Sequence, residues 1–445
     1  MSDTIAQGKG VKPQVLYVHY GDNWLRGSEI VLLDLLKSAK DNHYAPVLWC
    51  NSEVLAKKAT DLGVEVIIDN FVCLAYWTLP RWNFGHFFKL LIKAKKLIKD
   101  YKISLVHCNN GAPCQWMVPI CKMTATPLLL HLHARYMYRD RLTLLFHGAD
   151  SIIGVSQSVT KLFKDNEFNT QQVSTIYNGI EPQRVHCSSP RDIRAELSAK
   201  KNDFVILYMG SLIPRKSVSQ LLYAVEKLKN NYQIKLAIVG SGSEAAKLTH
   251  LVAQLALTHH VKFFAASDKV AEIYSSNADC FISVPSEEVF GLTLAEASIA
   301  KLPIITSNIP GINEIYTDQE NALLISPNNI DQLVSAIKTL IEKPCLTKKL
   351  AENAHKHIVK TFSVKRQFIA FNLAYQSLLL AENQLSVSLV LNSHAKILLT
   401  ACLSKVFTKV MTKVMATPLT NALANSLTKG YKHLLLKFSW GKSHD

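Results

Sequence analysis

Short, nearly unbroken apolar runs recur along this chain, each followed by a stretch of helical spacing, and that alternation admits few folds. "QVLYVHY" (14–20), "PVLWC", "VEVII", "ISLVHC", "PLLLHLH", "SIIGVS" and "VSTIY" form a first series. A strand apolar on both faces must be covered on both. With helices between such strands, the pattern is a parallel sheet between two helical layers. The series restarts near residue 203 with "DFVILYMGS", "IKLAIVG", "VKFFA", "CFISVP", "PIITS" and "ALLISP". Between the two, "NGIEPQRVHCSSPRD" (178–192) is polar and proline-marked and reads as a linker. The pattern predicts an α/β protein of two doubly wound parallel-sheet domains, 1–185 and 186–364, with a closing helix over 365–385. In such sheets ligands sit at the carboxyl ends of the strands, so two units facing each other would hold a site in the cleft between them.

Composition narrows the partners. With 445 residues, 48% of them hydrophobic, the chain can bury two or three cores. A formal net charge of +16 favours polyanions: nucleic acid, anionic membrane or phosphorylated small molecules. Nine cysteines without a CxxC pair read as reduced thiols, not a disulfide framework or zinc site. The opening "MSDTIAQGKGVKPQ" has no apolar core of a signal peptide, and no run of about 18 apolar residues predicts a transmembrane helix. These features lead to the expectation of a cytoplasmic protein.

The most informative stretch is "SEEVFGLTLAEASIAKLPIITS" (286–307), which follows the buried strand "CFISVP". Its helical pattern begins near Gly291, which places Glu288 in the loop ahead of the helix and Glu296 on its second turn. A helix N-terminus at a strand's carboxyl end suits an anion. Gly291 allows close approach to the backbone, and carboxylates accept hydrogen bonds from sugar hydroxyls. Together these suit a ligand with both phosphate and hydroxyls. The competing reading makes Glu296 an exposed helix residue and Glu288 a first-turn acid.

This block, with "YMGSLIPRKSVSQLL", "IKLAIVGSGSEAAKL", "NALLISPNNIDQLVSAI" and "VSTIYNGIEP", resembles the retaining glycosyltransferases of family 4 (glycosyl transferases group 1) over most of residues 14–385. The resemblance implies a GT-B fold, two Rossmann-like domains facing a cleft. It implies that Glu296 binds the donor's ribose hydroxyls and Glu288 the transferred sugar. It implies that the backbone at Phe290, Gly291 and Leu292 meets the distal phosphate. It implies that Gly210, which ends the strand ahead of the basic pair, also belongs to the donor-binding residues. Arg215 and Lys216 would hold the diphosphate, a role that also fits their chemistry. Gly27 of "RGSE" would approach donor or acceptor, and His133 of "PLLLHLHARY" would reach the donor sugar, whereas His131 on the same strand reads as packed. The family often has Arg at Ser211, Gly-Gly at Arg26-Gly27 and at Pro310-Gly311, and Gly at Lys301. Phosphate binding in this chain would therefore lean on Arg215 and Lys216. "GSGSEA" (240–245) fits a dinucleotide fingerprint, but it lies mid-chain without a following acid, and NAD is not expected.

Two basic segments remain. Residues 81–102 hold seven Lys or Arg and one acid, and residues 386–445 hold eight Lys and one acid, Asp445. Both read as basic amphipathic helices able to lie on an anionic membrane; the alternative is that their apolar faces pack on the protein. No nucleic-acid reader motif accompanies them, so no nucleic-acid partner is expected. The resulting expectation is a metal-independent, cofactor-free retaining glycosyltransferase at the inner face of the membrane. It would move a sugar from a UDP-, GDP- or ADP-sugar to a hydroxyl of a glycan or glycolipid, in cell-surface polysaccharide or lipopolysaccharide synthesis. The alternatives are a nucleotide-sugar epimerase on the same fold and a non-catalytic membrane-associated binder.

Overall fold

The computed structural model describes residues 12–74, 82–164 and 172–381. The basic tail, 386–445, lies outside these residues, as do Arg81 and the expected last residues of the closing helix, 382–385. The first sheet comprises β1 (Gln14–His19), β2 (Ala45–Cys50), β3 (Glu65–Ile68), β4 (Ile103–Asn109), β5 (Leu128–Leu132), β6 (Ser151–Gly154) and β7 (Val173–Thr175). Their spatial order is β3-β2-β1-β4-β5-β6-β7, all parallel. The second sheet comprises β8 (Phe204–Met209), β9 (Ile234–Val239), β10 (Val261–Phe264), β11 (Cys280–Ser283), β12 (Ile304–Ser307) and β13 (Leu323–Ile325), in the order β10-β9-β8-β11-β12-β13. This is the expected pair of doubly wound domains.

The two-residue period of a strand sorts the apolar runs onto two faces. In the first sheet Leu16, Val18, Val47, Trp49, Val106 and Leu130 pack into one cluster. Their neighbours Val15, Tyr17, Leu48, Leu105, Leu129 and Ile153 pack into another. That second cluster also takes Phe368, Phe371 and Tyr375, which lie on the helix Val364–Ala381. The closing helix therefore returns to the first domain. The chain crosses between domains twice, and the crossings touch: Ile180 N donates to Phe362 O at 2.8 Å, and Ile180 bridges Ser363 in parallel.

The segment expected to be helical over 81–102 is helical from Phe84 to Asp100, with the Asn83 side chain accepting from His86 N. Leu90, Ala94, Leu97 and Ile98 are buried, whereas Phe84, Phe88 and Ile92, spaced four apart, are exposed at 48, 59 and 70%. The apolar residues thus serve two faces, one packed on the domain and one open to solvent beside Lys89, Lys95, Lys96 and Lys99. Among the described residues no helix is long and apolar enough to cross a membrane.

Candidate active site

Strand order reverses between β1 and β4 and again between β8 and β11, and such switch points leave crevices at the strand ends. The loops after β8 and β11 carry Gly210, Arg215, Lys216, Glu288, Phe290 and Gly291. Ser286 N donates to Arg215 O at 2.8 Å, which ties the two loops together. Lys216 Nζ lies 2.5 Å from Glu288 Oε2, and Arg215 Nη1 lies 3.7 Å from the same oxygen. Burial by itself would push the Glu288 carboxyl up. Lys216, Arg215 and the Val289 amide outweigh it and hold the group below its ordinary range. The pair expected to clamp phosphate and the acid expected to touch sugar therefore form one ionised cluster.

Backbone geometry explains the glycines of these loops. Gly291 precedes the helix Leu292–Ile299 at φ +81°, in the left-handed region that disfavours side chains, and a Cβ there would meet Ile312 Cδ1 at 2.8 Å. A Cβ on Gly240 would come 1.9 Å from Gly210 O, and one on Gly242 would come 2.3 Å from Leu212 O. The "GSGSEA" glycines thus let the loops after β8 and β9 touch. The Phe290 ring is buried, edge-on to Phe362 at 5.7 Å, so its side chain anchors the loop while the backbone beside it stays with the helix N-terminus. Across the cleft, Gly27 opens the helix Gly27–Asp41, and a Cβ there would lie 3.6 Å from Leu292 Cδ2. Ser28, the second residue of this helix, donates its hydroxyl to Glu29 Oε2 at 3.0 Å.

Glu296 is not an exposed helix residue. It is 3% exposed, accepts from Tyr274 Oη at 3.1 Å, and has Arg184 Nη1 3.8 Å from its other oxygen. Arg184 also pairs with Asp34 of the first domain. Burial pushes the Glu296 carboxyl up to about 7, against the pull of Arg184 and the Tyr274 hydroxyl. Sequence reasoning missed Arg184, Tyr274 and Asp34. Arg184 sits in the stretch that reads as a linker, where spacing carries no sign of the acids a cation will meet.

His133 follows β5. Its Nε2 lies 2.9 Å from Asn109 Oδ1, and its ring centroid is 4.1 Å from that of His131. Burial, then His131 and His19, drive it well below the ordinary histidine range, so it is neutral. Asn109, His131 and His19 all belong to the first domain. His131 is fully buried against Phe371 at 4.8 Å and His107 at 5.4 Å, which makes it a packing residue. Beside Asn109 lies a pair that sequence reasoning missed, His19 Nε2 and Glu29 Oε1 at 2.9 Å. Burial would raise the Glu29 carboxyl, but His19, its own backbone and Ser28 take it down to about 2. Glu29 helps line a cavity of about 340 Å³ with Tyr20, Trp24, Arg26, Asn110 and Tyr136. Aromatic faces with a few polar groups are what a sugar-sized ligand needs. Among the described residues no group of three or more His, Cys, Asp or Glu is placed to hold a metal ion.

Two Rossmann-like domains joined by a double crossing, with the cleft at their switch points, define the GT-B class of fold. Its likeness to solved structures agrees: the Anabaena HepE protein, crystallised in complex with UDP and glucose, superposes with a TM-score of 0.72 at 20% identity, covering 82% of this chain and 100% of that one. Family models match both halves, "Glycosyltransferase Family 4" over residues 10–184 and "Glycosyl transferases group 1" over residues 190–357. The chain belongs to this family of glycosyltransferases. Two uncharacterized glycosyltransferases of Methanocaldococcus jannaschii are similar to it. One is 29% identical over 204 residues, 44% of this chain and only 52% of that protein. The other is 27% identical over 375 residues, 78% of this chain and 99% of that protein.

Proposed function

We propose that this glycosyltransferase moves a sugar, with retention of its anomeric configuration, from a nucleoside diphosphate donor to a hydroxyl of a glycan or glycolipid. The observation that carries the proposal is the Arg215–Lys216–Glu288 cluster beside the N-terminus of the helix Leu292–Ile299, opposite Gly27. In the reaction negative charge builds on the leaving diphosphate. Arg215, Lys216 and the helix N-terminus would stabilise it, so that the protein's own groups do the work of a metal or cofactor. Glu288 and His133 would hold the transferred sugar, and Glu296 the ribose. A UDP-, GDP- or ADP-sugar meets these requirements. The cavity beside Glu29 would take the acceptor. No side chain is assigned as a general base: the departing phosphate, on the same face as the acceptor, would take its proton.

The exposed Phe84, Phe88 and Ile92 row with its neighbouring lysines supports peripheral binding to an anionic bilayer. That setting fits a membrane-presented acceptor in cell-surface polysaccharide or lipopolysaccharide assembly at the cytoplasmic face. The test of the central claim is the double replacement Arg215→Ala with Lys216→Ala. Turnover with a nucleotide sugar should fall about 100-fold or more, because the lost groups act on charge that develops in the transition state. Unchanged turnover would sink the assignment. Formation of a new nucleotide sugar without any acceptor would favour an epimerase. Liposome binding with no nucleotide release under any donor would favour a non-catalytic binder.

A further inference from the structure

We propose that Glu29 sets the tautomer of His133 through a buried relay, Glu29–His19–Asn109–His133, so that His133 carries its proton on Nε2 and keeps Nδ1 as an acceptor. The relay is a property of the fold; its use in the reaction rests on the role of His133 proposed above. There, an acceptor nitrogen would take a hydrogen bond from a sugar hydroxyl of the donor.

The argument starts at the end that has only one option. The Glu29 carboxylate is ionised and can only accept. Its Oε2 already accepts from Arg26 N at 2.9 Å and Ser28 Oγ at 3.0 Å. His19 Nε2, 2.9 Å from Oε1, must then carry a hydrogen. Asn109 Nδ2, an amide nitrogen that can only donate, meets the other ring nitrogen, Nδ1, at 3.0 Å, so Nδ1 faces it with a lone pair. The orientation of that amide has independent support, since Nδ2 also lies 3.4 Å from Ser28 O. His19 Nδ1 is also 3.0 Å from Asn109 O, but a proton placed there would face the Asn109 amide hydrogens. The amide so oriented turns its Oδ1 to His133 Nε2 at 2.9 Å, and an amide oxygen can only accept. His133 Nε2 therefore donates. His19 and Asn109 are fully buried and Glu29 is 4% exposed. The chain closes over the pair at Gly21, where a Cβ would sit 2.7 Å from His19 Nε2 and 3.0 Å from Glu29 Oε1. In this setting bulk water has little access to reverse a link.

The test uses the full chain with ¹⁵N-labelled histidine and long-range ¹H–¹⁵N correlation, which distinguishes the two tautomers. Wild-type His133 should be the Nε2–H form. Asn109→Leu should convert His133 to a tautomer mixture and lower turnover about tenfold, with affinity for free nucleotide unchanged. Asn109→Asp, which can still accept from Nε2, should restore the Nε2–H form. An Nδ1–H form in the wild type, or an unaltered signal in Asn109→Leu, overturns the relay. The wild-type spectrum decides this even if Asn109→Leu does not fold. A shifted tautomer with unchanged turnover upholds the relay and overturns the part of His133 in transfer.

Discussion

Replacing Glu296 with Gln should stabilise the unliganded protein above neutral pH and do little below pH 5. Burial raises the Glu296 carboxyl from 4.5 to about 7, opposed by Arg184 and Tyr274. The folded value lies above the unfolded one, so the folded chain favours the protonated form. Its contribution is fully present below about pH 4.5 and is lost as pH rises through about 7. At about 1.4 kcal/mol per pH unit, the separation corresponds to about 3 kcal/mol, of which about 2 to 3 kcal/mol falls between about pH 5 and about pH 8.5. Gln keeps the protonated acid's shape and neutrality and still offers an oxygen to Tyr274, while Arg184 keeps Asp34. Urea denaturation followed by circular dichroism, run on both proteins across that range, isolates the difference because all other titrations are shared. Wild type should lose stability relative to Glu296→Gln as pH rises. Two curves that stay parallel at every pH would refute the reasoning, and would mean that Arg184 neutralises Glu296 completely.

Three further outcomes follow from contacts elsewhere. Glu314 accepts from Gln157 N at 2.7 Å and Ser158 N at 2.8 Å, joining the second domain to a helix start in the first; Glu314→Ala should cost about 1 to 2 kcal/mol and speed amide exchange at those two residues. Tyr375 Oη bridges His107 Nδ1 at 2.7 Å and Tyr17 Oη at 3.2 Å under the closing helix; Tyr375→Phe leaves buried polar atoms unpaired and should lower stability by about 1 to 3 kcal/mol in thermal melts. Phe88 and Ile92 are exposed, so changing both to Ser should leave stability within about 0.5 kcal/mol while weakening sedimentation with anionic liposomes; equal sedimentation would move the contact to another surface.

Much of the site is legible in the sequence because its residues are local. Glu288, Gly291 and Glu296 share one strand–loop–helix unit, and helical spacing alone places them at a strand's carboxyl end. Arg215 and Lys216 follow the end of β8 closely in sequence. What periodicity does not carry is who meets whom across large separations. The bond from Lys216 to Glu288 spans 72 residues, and the bond from Arg184 to Asp34 spans 150. Phe290 reads from its motif as part of the ligand site, yet its ring belongs to the core. The helix over 84–100 reads as a choice between membrane and packing, but two apolar rows on one helix permit both.

The sequence by itself determined the two parallel sheets, since strands apolar on both faces with helices between them have no other way to cover themselves. It also determined that a helix opens beside Gly291 at the carboxyl end of β11. Only the tertiary structure decided the electrostatic state of the site. Glu288 and Glu296 are the same residue type in the same motif, yet one is held ionised by Lys216 and the other is driven toward neutrality by burial. The Glu29–His19–Asn109–His133 chain likewise exists only once β1, β4 and β5 lie side by side. Ionisation and hydrogen-bond direction depend on neighbours within a few ångströms, and for these residues the neighbours arrive from distant parts of the chain.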